Sequence, residues 1–121
     1  MKKTPLKKTS PKSAIKRRAW KAMSEYIRRS HADHQGMVRC YTCGHLMHWK
    51  ESQAGHGIPK ALGNAIYWCE DLIRPQCYRC NINLGGWGEK FIENLTRELG
   101  ESKVAELRRL RFKIQPMNAL D

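Results

Sequence analysis

With 121 residues, 40% of them apolar and 28% charged, the chain has room for one small domain with a modest core, a size at which folds commonly rely on a staple. Lysine and arginine outnumber acids 23 to 11, a formal charge of +12, which favours a polyanion as partner, nucleic acid above all. No apolar run approaches the ~18 residues that a membrane span requires, and no apolar core of a secretory signal is present, so a soluble, cytoplasmic protein without a membrane partner is expected.

Residues 1–13 are rich in Lys, Pro and Thr, with almost no apolar side chain, and the first carboxylate is Glu25. This composition predicts a disordered basic tail. From Ala14 the pattern changes. Ile15, Ala19, Met23, Tyr26 and Ile27 recur at helical spacing, with Lys16, Arg17, Arg18, Lys21, Arg28 and Arg29 filling much of the remaining circumference. A basic amphipathic helix ending near Ser30 follows, within a segment 14–35. Lys16, Arg17, Arg18 and Lys21 are expected to meet phosphates, the plainer reading being a solvated face behind a packed apolar stripe. His31 and His34, at the polar end, read as surface groups or weak phosphate contacts.

Met37–Tyr41 and Leu46–Lys50 predict two short strands flanking a tight turn, with Gly44 where a left-handed backbone is needed. Ile66 to Cys69 is β-branched and aromatic and predicts a further strand, after a connection loosened by Pro59, Gly63 and Asn64. Gly85, Gly86 and Gly88 break the chain. Phe91, Ile92, Leu95 and Leu99 then predict a helix closed by Gly100, and Val104, Leu107, Leu110 and Ile114 a third that stops before Pro116. Trp49, Trp68 and Trp87 read as packing groups rather than base-stacking platforms.

The cysteines carry the strongest chemical signal. Cys40/Cys43 and Cys77/Cys80 form two Cys-x-x-Cys pairs, and Cys69 leaves an odd thiol in any disulfide scheme. Thiolates are soft anionic donors, and two such pairs close a tetrahedral Zn²⁺ sphere with no open position, so a structural zinc is expected. The alternative, buried free or redox thiols, lacks a thioredoxin-like βαβ context. His45 lies beside the first pair, but four thiols make a histidine ligand unnecessary.

The stretch from Val38 to about Phe91 resembles the HNH nucleases and, more closely, the phage NinG (Rap) recombination proteins. The resemblance rests on Cys40-Tyr41-Thr42-Cys43-Gly44, His48-Trp49-Lys50, Ala54-Gly55-His56-Gly57-Ile58-Pro59 and Arg74-Pro75-Gln76-Cys77-Tyr78-Arg79-Cys80-Asn81, taken in order. The Lys-Thr-Pro-Leu-Lys tail and the Ser24–Arg28 helix resemble that group too. It implies an α+β fold: a zinc-ribbon-stapled ββα-metal (HNH-like) core over 36–100, with the basic helix before it and a C-terminal helix and tail over 101–121. It further implies His56 as general base and Asn81 as a ligand of a catalytic Mg²⁺ or Mn²⁺ ion, with His48 a further candidate ligand. Lys60 and Arg74 would then flank the cleft and bind phosphate, Arg79 being a weaker candidate.

Two positions depart from the HNH pattern. Gly55 stands where many of these nucleases carry an aspartate ligand, the nearest substitutes being Glu51 and Gln53. Leu72 stands at the middle Asn of the motif, with Asp71 beside it. The implied function is a metal-dependent DNA endonuclease of phage recombination that cuts branched DNA such as Holliday junctions or D-loops, and symmetric resolution of a junction would favour a homodimer. The competing classes are a non-catalytic zinc-ribbon DNA-binding accessory protein and a protein–protein adaptor; the charge argues against the adaptor.

Overall fold

The computed structural model describes residues 10–113. Most of the expected basic tail and the expected end of the last helix, from Ile114, lie outside them. Helix α1 (Pro11–Ser30) starts three residues earlier than its apolar spacing predicts. Ser10 caps it, accepting the Ser13 N–H at 3.1 Å, and Pro11 takes the first helical position, where a missing N–H costs no bond. At the other end His31 Nδ1 donates to Ile27 O at 2.9 Å, so this histidine closes the helix. Ile27 is fully buried and anchors the helix to the rest.

Strands β1 (Met37–Arg39) and β2 (Leu46–His48) pair antiparallel with Val38 opposite Met47, and the first cysteine pair sits in the turn between them. Gly44 (φ +80°) supplies the left-handed residue, its N–H donating to Cys40 O at 2.9 Å. A 3₁₀ turn, Trp49–Glu51, leads into β3 (Gln53–His56), which pairs antiparallel with β4 (Ile73–Gln76), Gly55 facing Arg74 and His56 facing Ile73. Gly55 and His56 therefore lie in a strand. Pro75 is tolerated in β4, and its carbonyl accepts the Tyr41 N–H at 2.8 Å, tying the first knuckle to this second sheet.

The strand expected over Ile66–Cys69 is not formed. Asn64–Tyr67 is one helical turn, α2, because Gly63 (φ +143°) reverses the chain and its carbonyl accepts the N–H groups of Ile66 and Tyr67. Burying Ile66 in a helix–helix core outweighs its β propensity. After β4 the chain enters a π-helical turn, Arg79–Asn83, then α3 (Gly88–Leu99) and α4 (Glu101–Arg108), separated at Gly100 (φ +89°). A 3₁₀ turn, Arg109–Phe112, follows where further helix is expected.

The result is an α+β architecture with two separate two-stranded sheets. One core cluster joins Ile66, Leu72, Phe91, Leu95, Val104 and Leu107; the other joins Val38, Met47 and the sulfurs of Cys40 and Cys80. Strand β4 links Leu72 in the first cluster to Cys77 against the second, with His56 paired at its start and the second cysteine pair following its end. Among the described residues no helix is long and apolar enough to cross a membrane.

A four-cysteine cluster and the cleft around His56

The Sγ atoms of Cys40, Cys43, Cys77 and Cys80 all lie within 4.8 Å of one another, with Cys43 and Cys77 3.7 Å apart. Two chain turns bring them together: the β1–β2 turn holds the first pair, and the entry to the π-helical turn holds the second. Burial alone pushes the Cys40 thiol up, but the N–H groups of Cys43, Cys77 and Thr42 and the Thr42 hydroxyl together hold it at about 6. Burial and the neighbouring sulfurs push Cys80 up to about 12. Four thiolates at this spacing need a cation to ionise together, and a Zn²⁺ ion fits the donor set in number and softness. The cluster could hold a structural zinc. Cys69 stays apart, packed at the edge of the helical core with its thiol raised by burial, and is neither a ligand nor in a strand. His45 enters only through its backbone, accepting the Cys40 N–H at 2.8 Å.

On the other side of β3 a cleft of about 740 Å³ opens between α1 and the residues that follow Cys80. His56 and Asn81 both line it, with Trp20, Arg28, Gln53 and Lys60. His56 is held from two sides. Its Nε2 lies 2.9 Å from Tyr67 O, and since a carbonyl only accepts, Nε2 carries the proton and Nδ1 the lone pair. Trp20 stacks on the ring at 5.1 Å and 21°. Burial pushes the imidazole below its ordinary value; the Tyr67 carbonyl opposes this and the Lys60 charge adds to it, so the balance favours the neutral form. Asn81 Nδ2 donates to Gln53 Oε1 at 2.8 Å, which turns its own oxygen toward Gly55.

The family described as "Bacteriophage Lambda NinG protein" matches residues 1–117. The chain belongs to the NinG family. No curated protein and no solved structure matches it.

Two residues expected in the site of this NinG chain are placed elsewhere. His48, the further candidate metal ligand, caps the 3₁₀ turn, its Nδ1 accepting the Lys50 N–H at 3.2 Å, and its ring covers Gly36. It does not line the cleft. Arg74, expected to bind phosphate, is 4% exposed. Its guanidinium pairs with Glu98 at 2.9 Å and donates to the carbonyls of Glu70 and Ile73, so its donors are spent inside the protein. Arg74→Ala is expected to cost about 3 kcal/mol of stability, because it strips a largely buried, multiply bonded charge from a half-exposed partner. DNA affinity should stay unchanged; denaturant melts beside a binding titration check both. Asp71, beside Leu72, sits in a 3₁₀ turn 3.8 Å from Lys103 and does not line the cleft.

The remaining basic candidates divide. Lys60 lines the cleft and lies over the Trp20 and Tyr67 rings. Lys16, half-buried, lies 4.5 Å over the Tyr67 ring, whereas Arg17, Arg18 and Lys21 project from α1 into solvent. Trp20 and Arg28 escape a sequence reading, since nothing in the helical pattern says that one flank of α1 roofs a cleft. Arg28 is set there by bonds to the carbonyls of Ser52 and Trp49 at 3.2 and 3.4 Å.

Proposed function

We propose that this NinG-family chain is a metal-dependent DNA endonuclease of HNH (ββα-metal) type that cuts branched DNA during phage recombination, with zinc in the purely structural role. The carrying observation is the fixed His56 tautomer. A neutral imidazole with its Nδ1 lone pair free, in a cleft lined by Lys60 and Arg28, has the chemistry of a general base for water beside a phosphodiester. The antiparallel β3–β4 pair followed by the helical turn bearing Asn81 has the element order of a ββα site.

A hard divalent ion, Mg²⁺ or Mn²⁺, when bound, supplies the charge that stabilises the scissile phosphate and the leaving oxygen. Asn81 is the residue on the cleft wall suited to hold it, its amide oxygen already oriented by Gln53. His56 Nδ1 takes the proton of the attacking water, while the Tyr67 carbonyl and the Trp20 ring keep the imidazole in line. Lys60, Arg28 and the exposed Arg17, Arg18 and Lys21 contact backbone phosphates and position the duplex arms.

The test is incubation of the zinc-loaded protein with labelled linear duplex, single strand and four-way junction, with and without Mg²⁺ or Mn²⁺. Metal-dependent strand cleavage, strongest on the junction, is expected. A non-catalytic zinc-ribbon DNA-binding protein is the second reading, favoured by the lack of any carboxylate among the described residues lining the cleft; binding without cleavage in every metal establishes it.

The pH dependence of cleavage follows from the lowered His56 value. Rate should rise with pH along a limb centred below 6.5, the ordinary imidazole value, because burial favours the neutral base. Stability moves in the same direction: protonating a histidine that folds in its neutral form favours the unfolded chain, so stability falls as pH drops below about 6.5. A pH–rate profile and melts over the same range read both, and a limb centred above pH 7 excludes His56 as its source.

A further inference from the structure

Gly55 offers no side chain beside His56, yet the space is filled. A Cβ built there would collide with Gln76 Oε1 and lie 3.0 Å from Asn81 Oδ1. Gln76 is fully buried, and its Oε1 has no hydrogen-bond partner among the described residues. The amide cannot be turned over to relieve this. Its Nε2 donates to Gly86 O at 2.8 Å and to Thr42 Oγ1 at 3.1 Å, and a reversed amide would set two carbonyl oxygens face to face. Two amide oxygens, both fixed by their own nitrogens, therefore lie against Gly55, the residue before the candidate base, Asn81 at the cleft wall and Gln76 buried behind it. An orphaned buried acceptor at such a point needs a partner.

We propose that Gln76 Oε1 and Asn81 Oδ1 together ligate the hard divalent ion, and that this neutral pair holds it firmly only when a substrate phosphate supplies the negative charge. The inference rests on the endonuclease reading and names the donors of that same site. Hard cations accept amide carbonyl oxygens at about 2.1 Å, and such an ion would give the unpartnered Gln76 oxygen the partner it lacks. Affinity for such ions rises with the number of charged ligands, and here both ligands are neutral. Among the described residues the charged side chains lining the cleft are Arg28 and Lys60, which repel a free cation and attract a phosphate. Ion and nucleic acid therefore bind with positive linkage, each raising the affinity of the other by the same factor.

Mn²⁺ binding to the zinc-loaded full chain, followed by electron paramagnetic resonance, tests this. The background is His56→Ala, so that DNA stays intact, and Mn²⁺ held by the junction alone is subtracted. A four-way junction should tighten Mn²⁺ binding by about tenfold or more. Asn81→Asp should tighten junction-free binding by about tenfold and shrink the coupling, because a carboxylate then supplies charge the phosphate otherwise brings. Gln76→Ala should weaken binding in both conditions while the zinc content stays intact. Junction-enhanced binding that ignores Gln76→Ala overturns the ligand assignment and leaves the endonuclease reading standing. Equal affinity with and without the junction overturns the phosphate dependence alone. No Mn²⁺ bound in any condition overturns the inference and the metal-dependent reading together. Should Gln76→Ala lose zinc, Asn81→Asp decides, and a junction-free affinity that does not rise refutes the site.

Discussion

Stripping zinc with a strong chelator is expected to unfold the half of the molecule built around β1, β2 and the second cysteine pair, with about one zinc per chain released. The strands there are three residues each and form an isolated pair, a unit of marginal stability in water. Their core consists of Val38, Met47 and the cysteine sulfurs themselves, so the ligands and the core are largely the same atoms. Without a cation, the buried Cys80 is left a protonated thiol beside a Cys40 held near 6, and four sulfurs within 4.8 Å lose the charge that binds them together. Structural zinc sites contribute on the order of 10–16 kcal/mol to folding at neutral pH, as much as the 5–15 kcal/mol of net stability of a typical domain. Cys77→Ser and Cys80→Ser should reproduce the chelator result, while Cys69→Ser, outside the cluster, should melt near wild type. Elemental analysis, circular dichroism and thermal melts with and without chelator read the outcome. A verified zinc-free chain with an unchanged melting transition would remove zinc from the folding of this domain.

The four-cysteine cluster is the most legible part of the sequence because its signal is carried by residue type and spacing, with no need to know where the backbone goes. Helix α1 and the helix beginning near Phe91 were legible for a related reason: their apolar residues recur with the helical period, and Gly100 marks where α3 stops. Strand β3 was not. Gln53-Ala54-Gly55-His56 has no β-branched residue and no apolar alternation, and it is extended because β4 pairs with it across a gap of sixteen residues. Ile66-Tyr67-Trp68 carries the opposite error, a local strand preference overruled by Gly63 and by burial of Ile66 against Phe91 and Leu95. Side-chain direction was the third loss. Arg74 and Lys60 look alike as cations near a cleft, yet one is spent on Glu98 inside the protein and the other faces the cleft. Gln76 carries no sequence signal at all, since its importance comes from Gly55 lacking a side chain on the neighbouring strand.

His56→Ala is expected to lower the single-turnover cleavage rate by about 10²–10⁴-fold, the usual contribution of a positioned general base. At 1.36 kcal/mol per tenfold this is a barrier increase of about 3–5 kcal/mol. Binding of the junction should change little, because the proposed phosphate contacts, Lys60, Arg28 and the basic face of α1, do not use His56 as a hydrogen-bond partner. The fold should survive. Alanine gives up one bond to the Tyr67 carbonyl and the Trp20 stack, a loss of about 1–2 kcal/mol that leaves the zinc cluster and both cores untouched. Trp20→Ala makes a useful companion: it removes the ring that orients the imidazole but not the base itself, so cleavage should fall less, by about tenfold, with the same pH limb. The separation of rate from binding distinguishes chemistry from architecture. If the alanine protein binds and cuts as wild type does, the imidazole has no part in the reaction; if it loses binding and zinc together, the cleft is held up by His56 rather than operated by it.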